Sequence, residues 1–140
     1  MNATENETGN AALSANLQNY ASLFGRLLLA AIFIWSGLGK LLHFSGTLAY
    51  MESYGVPMKE VLGAAAVVIE LGGGLLLAIG WKTRWAAAAV FLFMIPITLI
   101  FHNPGESQTQ LIHFMKNLSI MGGLLMLLAS GPGHLSVDKG

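Results

Sequence analysis

Four apolar stretches, at residues 20–42, 60–80, 85–102 and 110–129, constrain this chain more than anything else in it. Each approaches the roughly twenty residues that an α-helix needs to cross the hydrocarbon layer of a bilayer. Lipid offers no partner to a backbone N–H or C=O, so spans of this kind are helical. Composition agrees: 54% of the 140 residues are hydrophobic and 10% are charged, whereas a soluble domain carries about 25% Asp, Glu, Lys and Arg. Seven acids and seven bases cannot wet a globular surface. The chain therefore reads as an integral membrane protein whose first partner is the lipid bilayer. Zero net charge and the lack of a basic stripe exclude nucleic acid as a partner. The absence of Cys excludes thiolate metal sites, disulfide relays and thiolate nucleophiles.

The segments between the spans set the organisation. Residues 1–19 are polar, with Glu5 and Glu7 but no Lys or Arg, which predicts a flexible N-terminal tail and no secretory signal. Residues 20–130 form the transmembrane domain, and residues 131–140 a short polar C-terminal tail. Trp81 to Arg84 leave room only for a tight antiparallel turn, and residues 103–109 form a polar connection containing Pro104-Gly105. In the longer first connection Phe44, Leu48 and Met51 recur at helical spacing, and Gly55 with Pro57 supplies a stop signal. A short amphipathic helix along the interface is expected there. The predicted fold is thus all-α, an integral membrane four-helix antiparallel bundle with a short interfacial helix between the first and second spans. Lys82, Arg84 and Lys139, with Tyr20, Trp81 and Trp85 as an aromatic belt, place both termini on the cytoplasmic side.

Charges inside the spans are the chemically informative residues. A charge at the bilayer centre costs about 2.5–3.5 kcal/mol on insertion scales. Glu70 lies about ten residues, or roughly 15 Å, into the second span, close to the midplane, so it must be protonated or paired. Arg26 in the first span and Lys116 in the fourth lie within roughly 6 Å of the same depth. Arg26 is the favoured partner because its planar guanidinium can bind a carboxylate through two hydrogen bonds. Arg26, Glu70 and Lys116 thus form an expected buried ion pair or ligand site. Two readings stay open: a structural pair that fixes helix register, and a proton- or ligand-linked site.

A second polar group gathers at the end read as outer, where Lys40, His43, His102, His113 and Asn117 form an expected vestibule. No spacing matches a metal signature such as H-E-x-x-H, so no metal site is assigned. A hydrogen-bonded end to the bundle is the plainest reading, and a seat for an anionic or quinone-like head group is the sharper one. Gly37, Gly73 and Gly74 make an expected interior wall of small residues, which serves close helix packing or the face of a planar ligand. Trp35, deep in the first span, is expected to pack inside.

Arg26 is followed by Phe33-Ile34-Trp35-Ser36-Gly37-Leu38-Gly39-Lys40-Leu41. Then come Tyr54-Gly55-Val56-Pro57, Ile69-Glu70-Leu71-Gly72-Gly73-Gly74 and Gly80-Trp81-Lys82-Thr83-Arg84. Phe101-His102, Phe114-Met115-Lys116-Asn117-Leu118 and the closing Gly131-Pro132-Gly133 with Ser136 to Asp138 complete the series. In this order, over residues 24–138, the chain resembles the DoxX family of small four-helix bacterial membrane proteins. The resemblance implies a multi-pass protein of the bacterial inner (plasma) membrane, acting as an accessory or quinone-interacting component of a redox system. It implies no intrinsic cofactor, a quinone as the molecule held, and redox-complex subunits as partners; a second copy of the chain is a separate expectation, since four helices enclose little space. It assigns no catalytic residue. Two other classes compete: a structural or assembly protein without ligand, and a small proton-coupled transporter built on Glu70.

Overall fold

The computed structural model describes residues 3–139. Its helices are α1 (Ala3–Leu42), α2 (Phe44–Ser53), α3 (Lys59–Val67), α4 (Gly73–Ile79), α5 (Thr83–Phe101) and α6 (Gln108–Ser130). A single π-helical turn, Val68–Gly72, joins α3 to α4, so Lys59–Ile79 crosses as one rod. Among the described residues four helical segments are long and apolar enough to span a bilayer: Asn6–Leu42, Lys59–Ile79, Thr83–Phe101 and Gln108–Ser130. The all-α four-span architecture expected from the sequence is therefore present, and α2 supplies the short helix between the first two spans.

The rod formed by α3 and α4 packs between α1 and α5, α5 packs along α6, and a lighter contact between α6 and α1 closes the bundle. The core is small and apolar: Ala30, Phe33, Leu77, Ala86, Ala87, Val90, Met94, Leu124 and Leu127. Outward-facing side chains are as apolar as the core, as a lipid-solvated surface requires. Trp35 is 81% exposed, and Leu28, Val68, Leu99 and Met126 are also exposed. This corrects the expected interior position of Trp35. It shares a face with Leu28 and Leu42, each seven residues away, on the side of α1 turned from the bundle.

At the N-terminus residues 3–19 continue α1 as helix, and the described side chains from 6 to 18 are exposed. Ala, Leu, Gln and Glu within this polar run are good helix formers. The run also extends a helix nucleated in the membrane, so it avoids the cost of starting a turn. The C-terminal segment runs through bends and folds back across the α4–α5 turn. Val137 N–H donates to Ile79 C=O at 3.2 Å and Asp138 N–H to Gly80 C=O at 2.9 Å.

The α4–α5 turn is set by backbone conformation. Gly80 ends α4 at φ +72°, in the left-handed region that glycine enters without strain. Lys82, which opens α5, is also left-handed, at φ +47°, and its side chain caps nothing. The cap comes from Asp138, whose carboxylate accepts from Lys82 N–H at 2.9 Å, Thr83 N–H at 2.8 Å and the Thr83 hydroxyl at 2.9 Å. These bonds hold the Asp138 carboxyl below its ordinary range, the Thr83 backbone bond contributing most. At the opposite end Ser107 caps α6 by accepting from Gln110 N–H at 3.2 Å.

Candidate functional site

Helical side chains lean toward the N-terminus of their own helix, and that direction arranges the charges. α1 runs from the end carrying the α4–α5 turn toward the end carrying α2, so Arg26 and Lys40 both lean back toward the turn. For Arg26 this points away from the midplane. Its guanidinium donates to Leu77 C=O at 3.2 Å, Ala78 C=O at 3.1 Å and Leu135 C=O at 2.6 Å. Arg26 thus caps the C-terminus of α4 and ties down the C-terminal segment, and the expected Arg26–Glu70 pair does not form.

Lys40 leans from the α2 end toward the midplane, while Glu70, on an antiparallel helix, leans toward Lys40. The two meet at 2.8 Å, with side-chain exposures of 28% and 7%. Lys40 also donates to Ser36 Oγ, one turn earlier, at 2.7 Å. Glu70 sits in the π-helical turn, where an i to i+5 pattern inserts an extra residue and re-aims side chains. Lys116, the other candidate partner, leans toward the α2 end and meets His113 Nδ1 at 3.4 Å. Among the described residues it has no carboxylate within ion-pair distance.

The expected vestibule assembles in part. The His102 and His113 rings lie 5.2 Å apart, and His102 Nδ1 meets Gln110 Oε1 at 2.9 Å. Buried Asn117 donates to buried Thr98 Oγ1 at 3.1 Å, linking α6 to α5. His43 stands apart: it is exposed at the junction of α1 and α2, and its ring nitrogen lies 3.4 Å from Gly39 C=O. No group of three or more His, Asp or Glu capable of holding a metal ion occurs among the described residues.

Two adjoining cavities open around these groups. The larger, about 340 Å³, lies between α2, α3 and α5 and is lined mainly by apolar side chains, among them Met51, Leu62, Ile69, Phe93, Ile97 and Ile100. Lys40 and His102 reach its wall. Tyr50 stacks on Phe101 with ring centroids 5.4 Å apart and planes 22° apart, and Tyr54 meets Phe101 edge-on at 5.0 Å. Partial burial, aided by the hydrogen bond it donates to Tyr54, pushes the Tyr50 phenol up to about 12. The smaller cavity, about 170 Å³, is polar on one side, where Ser36, Lys40, Glu70, His102, Lys116 and Asn117 converge. Lys40, Phe93, Ile97 and His102 line both.

The glycine wall serves packing and lines neither cavity. A Cβ on Gly37 would stand 2.6 Å from Leu71 N, one on Gly74 2.9 Å from Ile34 Cγ1, and one on Gly73 2.5 Å from Val90 Cγ2. A planar ligand resting on Gly73 is thereby excluded. Sequence reasoning missed Ser36, Thr98, the Tyr50–Tyr54–Phe101 cluster and Asp138. Ser36 could have been found from its position four residues before Lys40 on one helical face. Asp138 lies 55 residues from Thr83, with no local signal to join them.

These features define a class, that of multi-pass helical membrane proteins with an ion pair inside the spans and an adjoining apolar cavity. The DoxX family model matches residues 21–103. Inner membrane protein YqjF of Escherichia coli is 36% identical over 123 residues, covering 88% of this chain and 93% of that protein. Inner membrane protein YphA of the same organism is 34% identical over 122 residues, covering 84% and 87%. The chain belongs to the DoxX family. A Surfeit locus protein 4 homolog of Drosophila melanogaster is also similar, at 29% identity over 131 residues, covering 87% of this chain but 41% of that protein. No solved structure matches the chain.

Proposed function

We propose that the protein resides in the bacterial inner membrane and binds a quinone in its larger cavity, as an accessory component of a membrane redox system. The observation that carries this reading is an apolar, aromatic-walled cavity of about 340 Å³ with the Lys40 ammonium at its edge. That volume falls within the roughly 300–1,000 Å³ typical of small-molecule sites, and such sites pair an apolar lining with a few orienting polar groups. Tyr50, Phe93 and Phe101 in the cavity wall offer aromatic contacts to a planar head group. Lys40 offers a donor to one of its carbonyls. A bound quinone would supply two-electron, two-proton redox chemistry. The chain's own residues bind it, orient its carbonyls and keep the ring from water, and partner redox subunits exchange the electrons. The inner-membrane location rests on the family and on its two Escherichia coli relatives.

The test is saturable binding of a short-chain benzoquinone to the purified protein in detergent, together with quinone analysis of the extracted lipids. A charge-assisted hydrogen bond contributes about 1.5–3 kcal/mol, so Lys40→Ala weakens binding roughly 10-fold or more. Non-saturable uptake and quinone-free extracts would reject the proposal.

A further inference from the structure

We propose that the smaller cavity is an anion site whose ligand is an amphiphile, with one carboxylate or phosphate head on a hydrocarbon chain. Its ionisable wall carries two ammoniums, Lys40 and Lys116, against one carboxylate, Glu70. Glu70 is committed to Lys40 at 2.8 Å, which leaves the Lys116 charge without a counterion among the described residues. Lys116 stands eight residues inside α6, or about 12 Å along the axis, within an apolar span, with its side chain exposed at the cavity. Charges at such depth are paired or serve a pathway or ligand. Among the described residues the side chain that meets Lys116 is His113, through Nδ1 at 3.4 Å, and an imidazole brings no negative charge. Ser36 Oγ already accepts from Lys40, so its own proton remains to be donated. An anionic head would therefore find an ammonium and a hydroxyl in a chamber of about 170 Å³.

The hydrocarbon half follows from continuity. Lys40, Phe93, Ile97 and His102 line both cavities, so a head near Lys116 leads directly into the apolar space beyond. A small soluble anion would leave that space unfilled. This inference does not rest on the quinone reading, because a quinone carries no net charge and draws nothing from the surplus ammonium.

The experiment uses the full chain, freed of lipid in a non-ionic detergent, with a dansyl-labelled undecanoate as reporter. Competitors are dodecanoate, dodecyl phosphate, dodecanol and inorganic phosphate. Both anionic amphiphiles should displace the reporter, and dodecanol should be at least about 10-fold weaker, since one charge-assisted contact is lost. Whichever anion binds more tightly points to a fatty acid or to a phospholipid head as the source. Lys116→Gln should weaken dodecanoate about 10-fold while Lys116→Arg stays within about 3-fold, with both variants melting near the parent. Equal displacement by dodecanol and dodecanoate, or no change in Lys116→Gln, would overturn the charge argument. Displacement by inorganic phosphate as strong as by dodecyl phosphate would overturn the amphiphile. Short-chain quinone binding, measured in parallel, should be the same in Lys116→Gln and the parent. Its failure in both would sink the quinone reading and leave this one standing.

Discussion

Lys40 and Glu70 illustrate how much a charge pair in a membrane depends on side-chain direction. Removing one partner leaves the other buried and uncompensated, which costs about 3–5 kcal/mol in a fully buried pair. Lys40 keeps 28% of its surface exposed, so Lys40→Ala should cost less, about 2–3 kcal/mol in unfolding from mixed micelles. The double variant Lys40→Met with Glu70→Met should recover most of that loss, since two apolar groups leave no orphan charge. If it were as unstable as the single variant, the pair would not be what destabilises it. Glycines give a second contrast. Gly37→Ala places a Cβ 2.6 Å from the Leu71 backbone nitrogen and should cost about 1–3 kcal/mol, whereas Gly39, with open space around it, should tolerate Ala within about 0.5 kcal/mol. Equal unfolding midpoints for these two alanine variants would contradict the packing described here. That Glu70 needs a partner was legible from its depth in an apolar stretch. The identity of that partner was not, because counting residues locates backbone and ignores the lean of each side chain along its helix.

At the scale of the element, α5 depends on a cap that its own sequence does not contain. Lys82 precedes it in a left-handed conformation, and Asp138 satisfies the free N–H groups from the other end of the chain. Asp138→Asn should lower the melting midpoint in detergent, and Thr83→Val should lower it through the same carboxylate. The pH dependence has a defined sign. Because folding lowers the Asp138 pKa, its contribution is complete above the unfolded carboxylate value of about 3.9 and is lost as pH falls through the depressed folded value. Parent protein should therefore lose stability in that acid window, and the part due to Asp138 should vanish in Asp138→Asn. An unchanged acid limb in that variant would place the acid sensitivity elsewhere. The helices themselves were legible because apolar runs mark the spans and Gly55 with Pro57 marks a stop. The cap was not, since a contact across 55 residues leaves no periodic trace.

For the whole molecule, α1 divides into a half that packs one face on the bundle and a half exposed all round. The side chains from 6 to 18 are exposed, and the core begins with Ala30 and Phe33. Deleting residues 2–18 should remove helical signal in circular dichroism while moving the unfolding midpoint by no more than about 0.5 kcal/mol equivalent. A large drop in stability would mean that this segment supports the bundle. Lipid as solvent explains why so much of the fold could be read from the chain alone. A backbone that finds no water must close its hydrogen bonds within each segment, so four apolar runs, two short connections and one longer one specify four antiparallel helices and an interfacial one. The sequence by itself therefore determined the solvent, the helical class, the number of crossings and the fact that Glu70 could not stand alone. Only the tertiary structure decided that Lys40 answers Glu70, that Arg26 caps α4, that the glycines serve contact between helices, and that two cavities meet at Lys40 and His102. Those outcomes depend on which faces of separate rods turn toward one another and which way their side chains lean, and neither is encoded within any single apolar run.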